Sequence, residues 1–194
     1  MIRKPYSLLI AISSPGSPDA YDLLINKLFL SQIAKVAVKL RNKNISCVVS
    51  QTGNEKLEYI ISCLKLANIN ITEQSSKISN NDGNQKIIAV LTEKHLLQLK
   101  QAKKIDNTIF ICFDKRLSDD FLQKFSYIQI VDCFEKDQIY SSIFKIIELL
   151  APNIDLHDSI SSFNKQKKIK QQFFCKFTFH LLYITRSYLN KQHQ

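Results

Sequence analysis

Along the first 150 residues, short apolar runs alternate with longer stretches in which apolar residues recur every three or four positions. The short runs are Ser7–Ile12 (SLLIAI), Ile45–Ser50 (ISCVVS), Lys86–Leu91 (KIIAVL), Thr108–Phe113 (TIFICF) and Tyr127–Val131 (YIQIV). They have the length and β-branched content of strands, and they read as near-continuous apolar runs, as strands do when both faces of a sheet are covered. The first long stretch, Asp19–Arg41, predicts a helix with Leu23, Leu24, Leu28, Ile33, Val36 and Leu40 as its apolar face. Asn54–Asn68 predicts a second, with Leu57, Ile60, Ile61, Leu64 and Ala67 on one side. Glu93–Lys103 and Lys136–Leu150 follow, the latter carrying Ile139, Ile143, Ile146, Ile147 and Leu150. Ser118–Phe125 predicts a short helix with Ser118 as N-cap and Asp119 and Asp120 in the first turn. The stretch Asn68–Gln85 is polar and irregular. It holds the turn signature NNDGN (Asn80–Asn84), and Ile69 and Ile71 predict at most a short extra strand.

Strand and helix alternating five times predict an α/β fold of three layers, a doubly wound, mainly parallel five-stranded sheet. The expected strand order is 2-1-3-4-5, and at the level of fold the pattern resembles flavodoxin and the receiver domains of two-component signalling. Pro152 ends the last helix and sets the boundary between a domain over 1–152 and a basic, aromatic-rich extension over 153–194. In that extension a basic segment, KQKKIK (Lys165–Lys170), leads to FFCKFTFHLLYI (Phe173–Ile184). Cys175, Phe177, Phe179 and Leu181 alternate with polar residues as in a strand. Phe173, Phe177, Leu181, Ile184 and Tyr188 share a helical face, and a helix docked on the domain is the preferred expectation.

Parallel sheets of this class bind ligands at the carboxyl ends of their strands. The loop AISSPGSPDAYDLL (Ala11–Leu24) follows the first run and offers Ser13, Ser14, Gly16 and Ser17 at a helix N-terminus, where the dipole favours an anion. Every residue there also has a local role: Pro15-Gly16 makes a turn, Ser17 caps, Pro18 suits the first helical position and Asp19 the first turn. Asp19 would repel a phosphate, and neither GxGxxG nor GxxxxGK[ST] is present. The loop is thus a capped turn that borders any ligand rather than a recognisable phosphate cradle. The other strand ends supply Gln51, Thr52 and Gly53; Thr92, Glu93 and His95; Asp114, Lys115 and Arg116; and Asp132. Ser14, Gly16, Ser17, Thr92 and Asp114 form the candidate ligand set. A receiver needs an acidic pair after strand one, an aspartate after strand three and a lysine after strand five. Ser13-Ser14, Thr92 and Asp132-Cys133 stand there instead, so only a degenerate receiver fits. Asp114 and Asp132 are candidates for acid–base work or metal binding, with Asx-turns or caps as their ordinary use. No metal-ligand spacing, GxSxG or Cys–His pair appears, and no cofactor is implied.

Charge changes this picture at the C-terminus. The net charge is +10, but from Ser161 onward there are seven cations and no acid, which leaves only +3 on residues 1–160. Lys165, Lys167, Lys168, Lys170, Lys176 and Arg186 are therefore candidates to contact an anionic membrane surface or a nucleic acid, interleaved as they are with aromatics. The alternative is a segment that covers the sheet or docks a protein partner, with solvated lysines. Only four cations are arginines, the better residue for bidentate phosphate recognition. Cys47, Cys63, Cys112, Cys133 and Cys175 include no CxxC pair and read mainly as buried free thiols of a reducing compartment. No signal peptide is recognisable and no run reaches the roughly 20 apolar residues of a membrane span. The expectation is a cytoplasmic, non-catalytic binding or regulatory domain working through a protein partner. The rival is a small nucleotide- or phosphorylated-ligand-binding enzyme using the strand-end loops.

Overall fold

Five strands pair side by side, all parallel, in the order β2-β1-β3-β4-β5. In the computed structural model they are β1 (Ser46–Ser50), β2 (Asn70–Gln74), β3 (Lys86–Val90), β4 (Thr108–Cys112) and β5 (Gln129–Asp132). The helices are α1 (Pro18–Leu40), α2 (Glu55–Leu66), α3 (Lys115–Lys124), α4 (Gln138–Leu150) and α5 (His157–Gln192). The structure describes residues 18–50, 53–74, 86–92, 107–124, 128–135 and 138–192. The expected α/β class holds, but the strands fill the 2-1-3-4-5 pattern differently: Ser46–Ser50, expected at the edge, pairs directly with β3 in the place expected for Ser7–Ile12. Among the described residues the first strand is Ser46–Ser50; Ser7–Ile12 lies outside them, as does the helix expected at Glu93–Lys103. The fifth place is taken by Asn70–Gln74, which runs in full five-residue register with β1, from Ser46 opposite Asn70 to Ser50 opposite Gln74. This segment, NITEQ, is an edge strand with exposed residues, so its backbone pairing leaves no apolar run in the sequence.

Register and pleat sort the strand residues into two buried rows. Ala89, Phe110 and Ile130 lie opposite one another across β3, β4 and β5. With Leu91, Cys112 and Ile128 they pack against Leu117 of α3 and against Phe134. Ile88 pairs with Ile109, and Val90 with Ile111 and Val131, on the opposite face. Helices α2 and α4 pack on each other, with Leu57, Ile60, Ile61 and Leu64 buried from one and Ile143, Ile146 and Ile147 from the other. All five residues of β4 are buried, as a central parallel strand requires.

Two local expectations change. The buried stripe of α1 is Ile25, Phe29, Gln32, Ile33, Val36 and Leu40, whereas Leu23 is 70% exposed. The spacing i, i+4, i+7, i+8, i+11 and i+15 follows the helical period more closely than a stripe that includes Leu23 and Leu24. Ser118 is not an N-cap either. The helix starts at Lys115, and Asp114 caps it by accepting from the Arg116 N–H through Oδ1 at 2.9 Å. An aspartate caps as well as a serine, and this one is the earlier in the chain.

By contact, the chain divides into residues 33–160, which hold the sheet, and residues 1–32 with 161–194. Within the second unit Tyr21 meets Phe174 at 5.4 Å and Phe29 meets Phe163 edge-on at 5.5 Å between ring centroids. Partners fall in number along α5 as they rise along α1, so these stretches run antiparallel. The extension is helical, as preferred, but KQKKIK is not a joining segment: it lies inside the 36-residue helix α5. No glycine or proline interrupts the chain after Pro152, and lysine and glutamine are good helix formers.

Candidate functional site

The carboxyl edge of the sheet is where side chains from separate elements meet. After β1, Gly53 takes a left-handed φ of +64°, with open space where a Cβ would stand. Asn54 then caps α2, its Oδ1 accepting from the Lys56 and Leu57 N–H groups at 2.9 and 3.3 Å. From the first turn of α2, Lys56 Nζ sits 5.7 Å from the centroid of the Phe113 ring, which follows β4. This is a cation–π contact across the strand ends. The strand order changes direction between β1 and β3, so this edge is the switch point at which such sheets bind ligands.

A second group of contacts ties β4, β5, α3 and α4 together. Ser118 is buried, donates its backbone N–H to the Asp114 carbonyl at 3.1 Å, and donates its hydroxyl to Asp132 Oδ1 at 2.8 Å. The buried Ser142 Oγ lies 2.6 Å from the Asp132 carbonyl and 2.8 Å from the Gln138 carbonyl, so its one proton is shared between the end of β5 and the start of α4. Cys112 Sγ donates to the Asp114 carbonyl at 3.0 Å, and the Cys133 N–H donates to the Cys112 carbonyl at 2.8 Å. Ser118 is 14 residues from Asp132, so no local signal marked this pair.

Burial sets the chemistry of the thiols. It pushes Cys47 up to about 12, from an ordinary 9.0. Cys112 is raised by burial first, with the Asp132 and Asp114 charges adding to it and the hydrogen bond to Asp114 opposing. Cys133 is raised by burial, against the hydrogen bond with Ser142 and the Lys56 charge. Cys63 is raised by burial as well, and Tyr59 beside it is pushed up by burial and by Cys63. The thiolate is the nucleophilic form, so these groups are inert near neutral pH. All five cysteines are free; four are buried and Cys175 is exposed.

Of the candidate ligand residues, Thr92 and Asp114 stand at the ends of neighbouring strands, both exposed. Ser14, Gly16 and Ser17 lie outside the described residues, as do Gln51, Thr52, Glu93 and His95. Among the described residues, no group of three or more His, Cys, Asp or Glu is arranged to hold a metal. With β1 at Ser46–Ser50, only the first position of the receiver comparison changes: Ser50 stands at the end of β1, Thr92 still follows β3 and Asp132-Cys133 still closes β5, and none is the group a receiver needs. On α5, Lys165, Lys168, Lys170 and Lys176 are exposed and Lys167 is half-buried; Arg186 lies further along the same helix. No described helix is long and apolar enough to cross a membrane. No protein-family model, no curated protein and no solved structure matches this chain.

Proposed function

We propose that this chain is a non-catalytic α/β binding or regulatory domain, a receiver-like shape without receiver chemistry, that acts through a protein partner. The observation that carries this reading is how the strand-end side chains are used. Asp114 caps α3, Ser118 holds the Asp132 carboxylate and Ser142 closes on the Asp132 carbonyl. Groups that would serve catalysis are instead positioning α3 and α4 against the strands. The thiols beside them are held protonated by burial. Free buried thiols suit a reducing cytoplasm, and the reading assigns the protein there. The fold by itself carries no function, so the proposal stands on these contacts.

The rival reading, a phosphorylated-ligand-binding enzyme built on Thr92 and Asp114, is decided by a thermal-shift and turnover screen with nucleotides, sugar nucleotides and acetyl phosphate with Mg²⁺. A ligand at a hundred times its dissociation constant stabilises by about 2.7 kcal/mol. No shift and no turnover is the expected result. A shift that Asp114→Asn abolishes overturns the proposal, because asparagine keeps the cap and removes only the charge.

A further inference from the structure

The unit made of residues 1–32 and 161–194 carries ten cations against two acids, Asp19 and Asp22. Seven of the ten cations lie on α5, where no acid follows Asp158. On that helix Lys165, Ile169, Phe173 and Lys176 follow one another at spacings of four, four and three residues and so form one stripe. Phe173 is 69% exposed and Ile169 53%, both large for apolar side chains, and they are adjacent. Lysines stand at both ends of the pair, and Lys168 and Lys170, also exposed, stand to either side. The opposite face of the helix is already occupied, since Phe163 and Phe174 meet Phe29 and Tyr21. Phe173 and Ile169 thus present exposed apolar surface among these lysines.

We propose that this stripe of α5 docks on an anionic lipid bilayer, with Phe173 and Ile169 entering the headgroup region and Lys165, Lys168, Lys170 and Lys176 binding lipid phosphates and carboxylates. Charge complementarity selects an anionic surface, and the apolar pair selects among anionic surfaces. A bilayer buries both side chains and lets lysine stems lie along it. A nucleic acid offers phosphates to the lysines and a base to Phe173, but it has no use for an aliphatic Ile169, and the stripe lacks the arginines that read bases and phosphates bidentately.

The test uses the full chain in co-sedimentation with vesicles of phosphatidylcholine alone and with about 30 mol% phosphatidylserine, at low and raised salt. Partition into the anionic vesicles is expected to exceed that into neutral ones by about tenfold or more and to fall with salt. Lys165→Gln and Lys168→Gln each weaken it by about fivefold. Phe173→Ser or Ile169→Ser weakens it by about tenfold with every charge retained. The chain has no tryptophan, so Phe173→Trp gives a single reporter whose emission shifts to the blue only with anionic vesicles. Circular dichroism checks that each variant is folded. Equal partition into both vesicles, or none into either, overturns the proposal. So does binding to a duplex or single-stranded oligonucleotide that Phe173→Ser and Ile169→Ser leave unchanged.

Discussion

Residues 33–160 and the helices of α1 and α5 outside them solve the same problem with different surpluses. In the sheet region the polar groups at the strand ends are engaged internally: Asp114 with α3, Asp132 with Ser118 and Ser142, Asn54 with α2. Its large apolar side chains are buried in two in-register rows. In the helical unit, packing uses Ile25, Phe29 and Phe163 and leaves Leu23, Ile169 and Phe173 in water beside an excess of lysine. What a fold consumes internally is a poor guide to its partners. What it leaves over is a better one, because adjacent exposed apolar side chains are what an interaction surface presents.

Removing a side chain from each region gives the sharpest contrast. Phe110 is fully buried at the centre of the sheet, between Ala89 and Ile130. Phe110→Ala is expected to cost about 3–5 kcal/mol in urea unfolding, the lost transfer energy plus a cavity. A loss below about 1 kcal/mol would mean that the rows are not the core.

The buried thiols add a pH signature to the same region. Below pH 9.0, the ordinary thiol value, folded and unfolded chains both hold the Cys47 proton; between there and about 12 only the folded chain does. The folded state then binds more protons, so stability is fully present below the ordinary value and is lost as pH rises through the folded one. The slope is about 1.4 kcal/mol per pH unit for each such thiol. Urea midpoints at about pH 7 and about pH 10.5 measure it, and Cys47→Ala should flatten the fall. A midpoint that stays level would contradict the raised values.

The same division explains what could be read from the chain. β1, β3, β4, α2 and α4 were legible because burial wrote their faces into the sequence: Leu57, Ile60, Ile61 and Leu64 recur at helical spacing, and TIFIC is buried throughout. β2 shows in the sequence only as the short extra strand that Ile69 and Ile71 predict, because an edge strand is held by its ladder to β1 and backbone hydrogen bonds write little into NITEQ. The face of α1 is not legible, because apolar residues surround that helix and only packing decides which are buried. At the strand ends the type of residue was legible and the pairing was not. Asp114 caps a helix through the Arg116 N–H two residues on, the ordinary use expected of it, whereas Asp132 is held by Ser118 and Ser142, distant partners that the fold supplies.

Ser118 probes that pairing. Its hydroxyl is buried and holds one oxygen of an exposed carboxylate. Ser118→Ala removes the donor and leaves Asp132 to water, so the expected cost is about 1–2 kcal/mol. Ser118→Thr, which keeps the hydroxyl, separates that bond from packing by restoring part of it. If Ser118→Ala were neutral while any ligand-dependent shift vanished, the pair would belong to a binding site and not to the scaffold.

Phe173→Ala closes the comparison at its small end. A 69% exposed phenylalanine contributes little to folding, and its removal is expected to change stability by no more than about 0.5 kcal/mol. The value of the measurement lies in its pairing with Phe110→Ala: two phenylalanines, one truncation, and a difference of several kcal/mol set by burial alone. If Phe173→Ala instead cost as much as a core truncation, the stripe Lys165–Ile169–Phe173–Lys176 would be part of the protein's own packing. The lysines around it would then be the solvated edge of a covered surface. A near-zero cost leaves the stripe free for a partner, and a loss of anionic-vesicle binding in that same stable variant would identify the partner's chemistry.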